Sequence, residues 1–255
     1  IEAAYEAGNS ILEIYEGKYE TFTKSDDSPI READLKSNEI IKAILSKTNH
    51  KILSEEDKDD QKRLSEEIIW IVDPLDGTSD FIDKTGEFTV MIALIKNKKP
   101  IIGVIGWPTE KTIFAAQKGC GAFRFSKGKW EKISVTKVSE LAKCKAVGSR
   151  HHLSEKEKMF IKKLGIKDFT SIGSSLKVGK ISSGEAEAYI TTTNKMKEWD
   201  SAASYCLISE AGGKMTDMSG NDITYNNKIV NHQNGILVTN GLIHDKIVEE
   251  FKKLD

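Results

Sequence analysis

Residues 73–78 read Asp-Pro-Leu-Asp-Gly-Thr, directly behind the apolar run Ile-Ile-Trp-Ile-Val at 68–72. No other stretch restricts the fold so tightly. The apolar run has the length and branching of a buried strand. Pro74 has no amide hydrogen and a fixed φ, so the spacing predicts that the strand ends at Asp73. Asp73 and Asp76 then share one tight turn with the Leu75 carbonyl, an oxygen-only set that suits a hard cation such as Mg²⁺. Gly77 lets an anion approach the backbone, and the amides behind it open a helical turn where negative charge is favoured. The same residues also favour a plain surface turn. The stretch alone leaves both readings open.

Composition narrows the classes. At 255 residues the chain can form one large domain or two smaller ones. With 38% hydrophobic and 30% charged residues it is too apolar for disorder. Lys and Arg number 38 against 39 Asp and Glu, so no global field recruits nucleic acid or an anionic membrane. No apolar run approaches the ~18 residues that span a bilayer. The chain opens at Ile1 inside an amphipathic helical pattern and is read as trimmed by a few residues, with no signal peptide visible. Cys120, Cys144 and Cys206 match no zinc or disulfide spacing, which predicts reduced thiols and a cytoplasmic setting.

Helical periodicity covers residues 1–16 and about 31–46, with Asp34 in the first turns of the second helix, where an acid also serves the helix dipole. Residues 19–23 alternate like a strand and 24–29 read as loop. A short strand at 51–54 runs straight into Glu55 and Glu56; the acids at 57–60 read as a solvated face. Behind the central strand, residues 87–95, 101–107, 111–117 and 119–125 read as consecutive strands, with 96–100 as a polar hairpin connection. Two helices followed by strands in series predict a layered domain with an antiparallel sheet, about 1–134. Beyond it, strands at 145–147, 169–172, 186–191 and 235–239 alternate with helices at 155–164, 176–183, 198–211 and 242–254. That alternation predicts a second, α/β domain at 135–255 with partly parallel strands.

The acids now fall into separate places: Glu55 at a strand end, Asp73 and Asp76 on the central turn, and Asp200 in the first turn of a late helix. Each lies where a regular element meets a loop. Together, Ser54-Glu55-Glu56, Asp73 to Thr78, Glu198-Trp199-Asp200-Ser201-Ala202-Ala203 and Glu210-Ala211-Gly212-Gly213 resemble the lithium-sensitive, Mg²⁺-dependent phosphatases of the inositol monophosphatase superfamily. Gly86-Glu87-Phe88-Thr89-Val90, Ser149-Arg150-His151-His152 and Gly173-Ser174-Ser175-Leu176-Lys177 look most like its bacterial 3′(2′),5′-bisphosphate nucleotidase branch. The resemblance covers essentially the whole chain. It implies an αβαβα layered fold and two or three Mg²⁺ ions held by Glu55, Asp73, the Leu75 carbonyl, Asp76 and Asp200, with Asp73 bridging two. It also implies that Thr78 and Asp34 activate the attacking water, and that the leaving oxygen is steadied near Asp76 and Asp200. Such chemistry needs no covalent enzyme intermediate.

The substrate implied is a small phosphorylated metabolite, adenosine 3′,5′-bisphosphate first, hydrolysed to AMP and phosphate. Gly77, Thr78 and Ser79 would meet the reacting phosphate, and Ser149, Arg150, His152, Ser174 and Lys177 the rest of the substrate. Each of the last set also has a structural reading, such as Ser174 as a helix N-cap. One segment departs from that branch: where its members usually carry Tyr-Pro-Arg, this chain has Tyr189-Ile190-Thr191-Thr192-Thr193-Asn194. The absent arginine leaves an inositol-1-phosphate or sugar phosphatase as the second reading, and a non-catalytic metal- or nucleotide-binding module as the third. A monomer or homodimer is expected, with no nucleic-acid polymer as partner.

Overall fold

A computed structural model describes residues 1–17 and 29–254. The strand expected at 19–23 and most of the loop expected at 24–29 lie outside the described residues. Two helices, α1 (Glu2–Tyr15) and α2 (Pro29–Leu45), precede a seven-stranded sheet. Its strands lie side by side in chain order: β1 (Lys51–Ser54), β2 (Ile68–Asp76), β3 (Thr89–Lys96), β4 (Lys99–Trp107), β5 (Thr112–Gln117), β6 (Gly121–Ser126) and β7 (Lys129–Ile133). Every pairing is antiparallel except β1 with β2. A single helical turn, α3 (Thr78–Ile82), stands between β2 and β3.

The second sheet has the order β11-β12-β10-β8-β9. Its elements follow as β8 (Lys145–Ser149), α4 (Glu155–Lys163), β9 (Asp168–Ile172), α5 (Leu176–Ser182), β10 (Ala188–Thr191), α6 (Ala202–Glu210), β11 (Lys214–Thr216), β12 (Ile236–Thr239) and α7 (His244–Lys252). β8 pairs in parallel with β9 and β10, as expected from helix-linked strands, while β11 and β12 run antiparallel.

Side-chain alternation builds the layers. On the first sheet, Val72, Val90, Ile92, Val104 and Ile113 share a core with Ala4, Ala7 and Ile11 of α1 and Ala33 and Ile41 of α2. The opposite set, Ile69, Ile71, Met91, Ala93, Ile105 and Phe114, packs with Leu176 and Ile181 of α5 and Ala203 and Leu207 of α6. That same core takes the inner face of the second sheet, through Val147, Tyr189 and Val238. The outer face, Ala146, Ala188, Ile190 and Leu237, is covered by Phe160 of α4 and Ile247 of α7. Period-two strands with both faces apolar require cover on both sides. The result is the expected αβαβα stack. No helix among the described residues is long and apolar enough to cross a membrane, and all three cysteines are free.

Three expectations change. β2 continues past Pro74 to Asp76 instead of ending at Asp73; the ladder shifts register between Asp73 and Asp76, so the proline sits in an irregularity where its missing donor is tolerated. The connection expected at 96–100 shrinks to Asn97 and Lys98, both with positive φ, and Lys96 pairs with Lys99. The helix expected from residue 198 begins at Ala202, because the residues ahead of it form a turn closed by the Asp200 and Ser201 amides donating to the Lys197 and Glu198 carbonyls, with Asp200 Oδ2 accepting from the Lys197 amide.

Candidate active site

The acids arrive from three layers. β1 delivers Glu55, whose amide donates to the Val72 carbonyl at 3.2 Å beside β2. Asp73 is buried on β2, and its Oδ1 accepts from the Leu75 amide at 3.1 Å. The irregular backbone is pinned by Ser37 of α2, which donates to the Pro74 carbonyl at 2.7 Å. Asp76 Oδ2 accepts from the Ser175 amide at 2.6 Å and from Thr89 Oγ1 at 3.2 Å, and Thr89 and Ser175 share a further 2.7 Å hydroxyl contact. Asp200 lies two residues ahead of α6 rather than inside it, with Oδ2 accepting from the Lys197 amide at 2.7 Å. Carboxylate oxygens of Glu55, Asp73 and Asp200 all come within 4.8 Å of one another. Asp34 enters from α2, buried, its Oδ1 with no hydrogen-bond partner.

Such crowding is unfavourable for bare carboxylates. Burial, then repulsion from Asp76, Glu55, Asp200 and Asp34, pushes the Asp73 carboxyl well above its ordinary range. Asp200 rises to about 7 through burial and Asp76. Asp34 rises to about 8 through burial and the charges of Glu56 and Glu55. Carboxylates this close, with oxygen as the sole donor type and one orphaned buried oxygen, fit hard divalent cations whose charge offsets the repulsion.

These acids line a cavity of about 930 Å³. Leu75, Gly77, Thr78 and Ser79 line it too, with Gly77 at φ +96° in a conformation that side-chain-bearing residues avoid. Ser149, His152, Ser174 and Lys177 complete the lining expected from the sequence. Lys177 is buried; it donates to the Ser174 carbonyl, and its ammonium sits 5.3 Å from the centre of the Tyr189 ring. Burial depresses its pKa, against the opposing pull of Asp76 and other nearby carboxylates. Ser174 is not an N-cap: it precedes the cap residue Ser175 and has φ +47°.

Arg150 is the one expected residue that the wall does not contain. Its guanidinium points to Glu87 Oε2 at 2.5 Å and Asp80 Oδ1 at 3.3 Å, while its neighbour His151 lines the cavity. Sequence reasoning missed Thr89 and Ser175, which hold Asp76, although both sit in the motif stretches. It also missed the network behind Asp200. The buried Glu198 carboxylate accepts from the Asn226 and Asn227 amides and from Asn227 Nδ2, at 2.7 to 2.9 Å. Asn226 Oδ1 in turn accepts from Arg63 at 2.7 Å.

Two stacked sheets with an acid cluster where they meet give a layered α/β architecture with a candidate metal site. The chain belongs to the inositol monophosphatase family, whose model matches residues 1–255. The 3′(2′),5′-bisphosphate nucleotidases CysQ of Shigella flexneri and Escherichia coli K12 are each 34% identical over 232 residues, covering 88% of this chain and 91% of those proteins. The crystal structure of CysQ from Bacteroides thetaiotaomicron is 34% identical and superposes with a TM-score of 0.82 over 93% of this chain and 94% of that one. Inositol monophosphatase from Anabaena is 26% identical, with a TM-score of 0.80 over 99% of this chain and 93% of that one.

Proposed function

We propose that this chain is a Mg²⁺-dependent phosphomonoesterase that hydrolyses adenosine 3′,5′-bisphosphate to AMP and phosphate. The observation that carries the reading is one cavity that collects Asp34, Glu55, Asp73, Asp76 and Asp200 together with a buried cation, Lys177, close enough to feel the Asp76 charge. A bisphosphate presents two anionic groups, and such a cavity offers a cation-binding acid cluster for one and a lysine for the other. The names of the CysQ relatives support the substrate class.

Glu55, Asp73, Asp76, Asp200 and the Leu75 carbonyl would hold the ions, which when bound neutralise phosphate charge and acidify water. Asp34, kept protonated near neutrality by burial and the charges of Glu56 and Glu55, would be freed to take the proton from the attacking water once bound cations offset those charges. Thr78 at the start of α3 orients that water by its hydroxyl. Ser175 and Thr89 keep Asp76 aimed through the bonds described above. Lys177 and Ser174 receive the second phosphate. The same reading carries a cytoplasmic setting and sensitivity to lithium.

The test is phosphate release with Mg²⁺ from adenosine 3′,5′-bisphosphate, inositol-1-phosphate and fructose-1,6-bisphosphate at equal concentration. The expected preference for the nucleotide is ~100-fold in kcat/KM, about 2.7 kcal/mol of transition-state discrimination. Preference for inositol-1-phosphate would overturn the substrate assignment and keep the metal chemistry. No release from any of the three would leave the non-catalytic reading.

A further inference from the structure

We propose that Arg150 is a positioning residue and not a substrate contact: with Asp80 and Glu87 it latches the loop at 173–175 of the second sheet against the first, and through that loop aims Asp76. The inference rests on the reading of the acid cluster as a metal site. It adds a role for three residues that touch neither metal nor substrate.

The chain of contacts is continuous. Glu87, between α3 and β3, uses one oxygen twice: Oε2 accepts from Arg150 at 2.5 Å and from the Gly173 amide at 2.6 Å. Arg150 Nε reaches Asp80 Oδ1 at 3.3 Å, and Thr85 Oγ1 donates to that same oxygen at 2.8 Å. Thr85 Oγ1 also accepts from the Glu87 amide at 3.2 Å. Two residues beyond Gly173, the Ser175 amide donates to Asp76. The loop is also held sterically. A Cβ at Gly173 would lie 2.4 Å from Asp80 Oδ2 and 2.7 Å from the Glu87 carbonyl, so the backbone is pressed directly onto the latch.

Energetics separate this from an ornamental surface pair. The Asp80 side chain is 3% exposed, and a carboxylate that deep needs a partner. His151 Nε2 lies 3.4 Å away, and Lys177 is close enough to feel the charges of Asp80 and Glu87, but neither bridges the two carboxylates as Arg150 does. The planar guanidinium meets Asp80 and Glu87 at once, which a lysine ammonium does less well. Without Arg150, two neighbouring carboxylates repel. Glu87 is then displaced, and with it the Gly173 amide it holds. Arg150 spends Nε and Nη2 on these two carboxylates, so a substrate phosphate seeking those atoms would have to compete with both.

The experiment compares Arg150→Met, Arg150→Lys, Glu87→Gln and the Arg150→Met/Glu87→Gln double variant. Mn²⁺ affinity is measured by calorimetry on chelator-stripped protein, without substrate. Kinetics follow on adenosine 3′,5′-bisphosphate and on adenosine 3′-monophosphate, which lacks the second phosphate. Arg150→Met is expected to weaken Mn²⁺ binding ~10-fold and to lower kcat ~10-fold or more on both substrates, with KM within ~3-fold. Arg150→Lys recovers part of the loss, and the double variant is no more than ~3-fold worse than Arg150→Met, since the two residues act through one contact. A loss confined to the bisphosphate, and seen in KM, would show that Arg150 touches the second phosphate and overturn the proposal. Additive losses, or unchanged Mn²⁺ affinity and kcat, would overturn it equally. If Arg150→Met does not fold, Arg150→Lys and Glu87→Gln decide by the same criteria. The Mn²⁺ arm is independent of substrate identity, so a wrong substrate assignment leaves the test intact.

Discussion

Stripping the divalent cation should make this protein lose stability as pH rises through neutrality. Asp34 titrates near 8 in the folded chain against 3.8 ordinarily, so between those values the folded state holds a proton that the unfolded state has released. A carboxyl raised in this way stabilises the fold at low pH, and that stability is lost as pH climbs toward the folded pKa. The window to read is pH 6.5 to 8. His232 and His244, both held at about 4 chiefly by burial, add an opposite slope below it: their folded pKa is depressed from 6.5, and stability falls as they charge. Unfolded histidines are still half-charged at 6.5, so that slope fades over the first pH unit of the window, and the comparison with Asp34→Asn subtracts it. Across about 1.5 pH units, at about 1.4 kcal/mol per unit, Asp34 accounts for a loss of about 2 kcal/mol. For a chain of this size that is a fall of about 4 to 8 °C in Tm. Asp200, held at about 7 by burial and Asp76, adds slope only in the lower part of the window. The assay is a melting series at pH 6.5, 7, 7.5 and 8, in chelator and in saturating Mg²⁺, for the parent and Asp34→Asn. The gain from Mg²⁺ should widen with pH in the parent, and Asp34→Asn in chelator should lose about 2 kcal/mol of the slope. A variant that keeps the full slope would show that the repulsion does not reside at Asp34.

Asp73→Asn should lower kcat by ~10³-fold or more while keeping or raising Tm in chelator, because it removes one charge from a repelling buried set; retained phosphate release would remove Asp73 from the metal site. Lys177→Met should raise KM for adenosine 3′,5′-bisphosphate ~10-fold and leave adenosine 3′-monophosphate within ~3-fold; equal effects on both substrates would place Lys177 outside the second-phosphate contact. Glu198→Ala leaves the Asn226 and Asn227 donors without their acceptor, and urea denaturation should register a loss of about 3 kcal/mol. Millimolar lithium should inhibit phosphate release in competition with Mg²⁺, and rates unchanged by lithium would count against that part of the reading.

The acids that cluster in the fold were legible because each carries a local signal: an apolar strand run cut by Asp-Pro, a strand end at Glu55, a Trp-Asp pair near the start of a helix. The helices and most strands were legible from period alone. Two strands were not. β7, Lys-Trp-Glu-Lys-Ile, lies at the sheet edge with Trp130 exposed, so it lacks the apolar density of a central strand. Its signal was the two-residue turn Lys127-Gly128, both with positive φ, which fits a tight hairpin. β11 is only three residues long, between Gly213 and Asp217. The supporting bonds were illegible for another reason. Arg63 to Asn226 and Ser175 to Asp76 join positions 163 and 99 residues apart, and no spacing rule reaches that far. Arg150 was read as a phosphate contact from its residue type, and its carboxylate partners, Asp80 and Glu87, emerge only from the packing of the two sheets.

The segment 191–194, which lacks the arginine usual in the nucleotidase branch, is fixed rather than free. The Thr192 amide and hydroxyl donate to Glu157 Oε1 at 2.6 and 3.3 Å, and Glu157 Oε2 accepts from the Ser154 amide in the capping box of α4. That anchoring ties Thr192 to α4 through its amide and hydroxyl, and the segment carries no cation, so on the proposed reading the positive charge must come from elsewhere. Lys177 rises from the middle helical layer and is buried between the sheets, where its charge would be lost to desolvation without compensation. The compensation comes from the metal-side carboxylates themselves, Asp76 first. A phosphate dianion placed beside Lys177 acts in the same direction as those carboxylates and keeps it charged. On the proposed reading one buried lysine can therefore serve as the cation for the second phosphate, provided that the acid cluster beside it stays aimed.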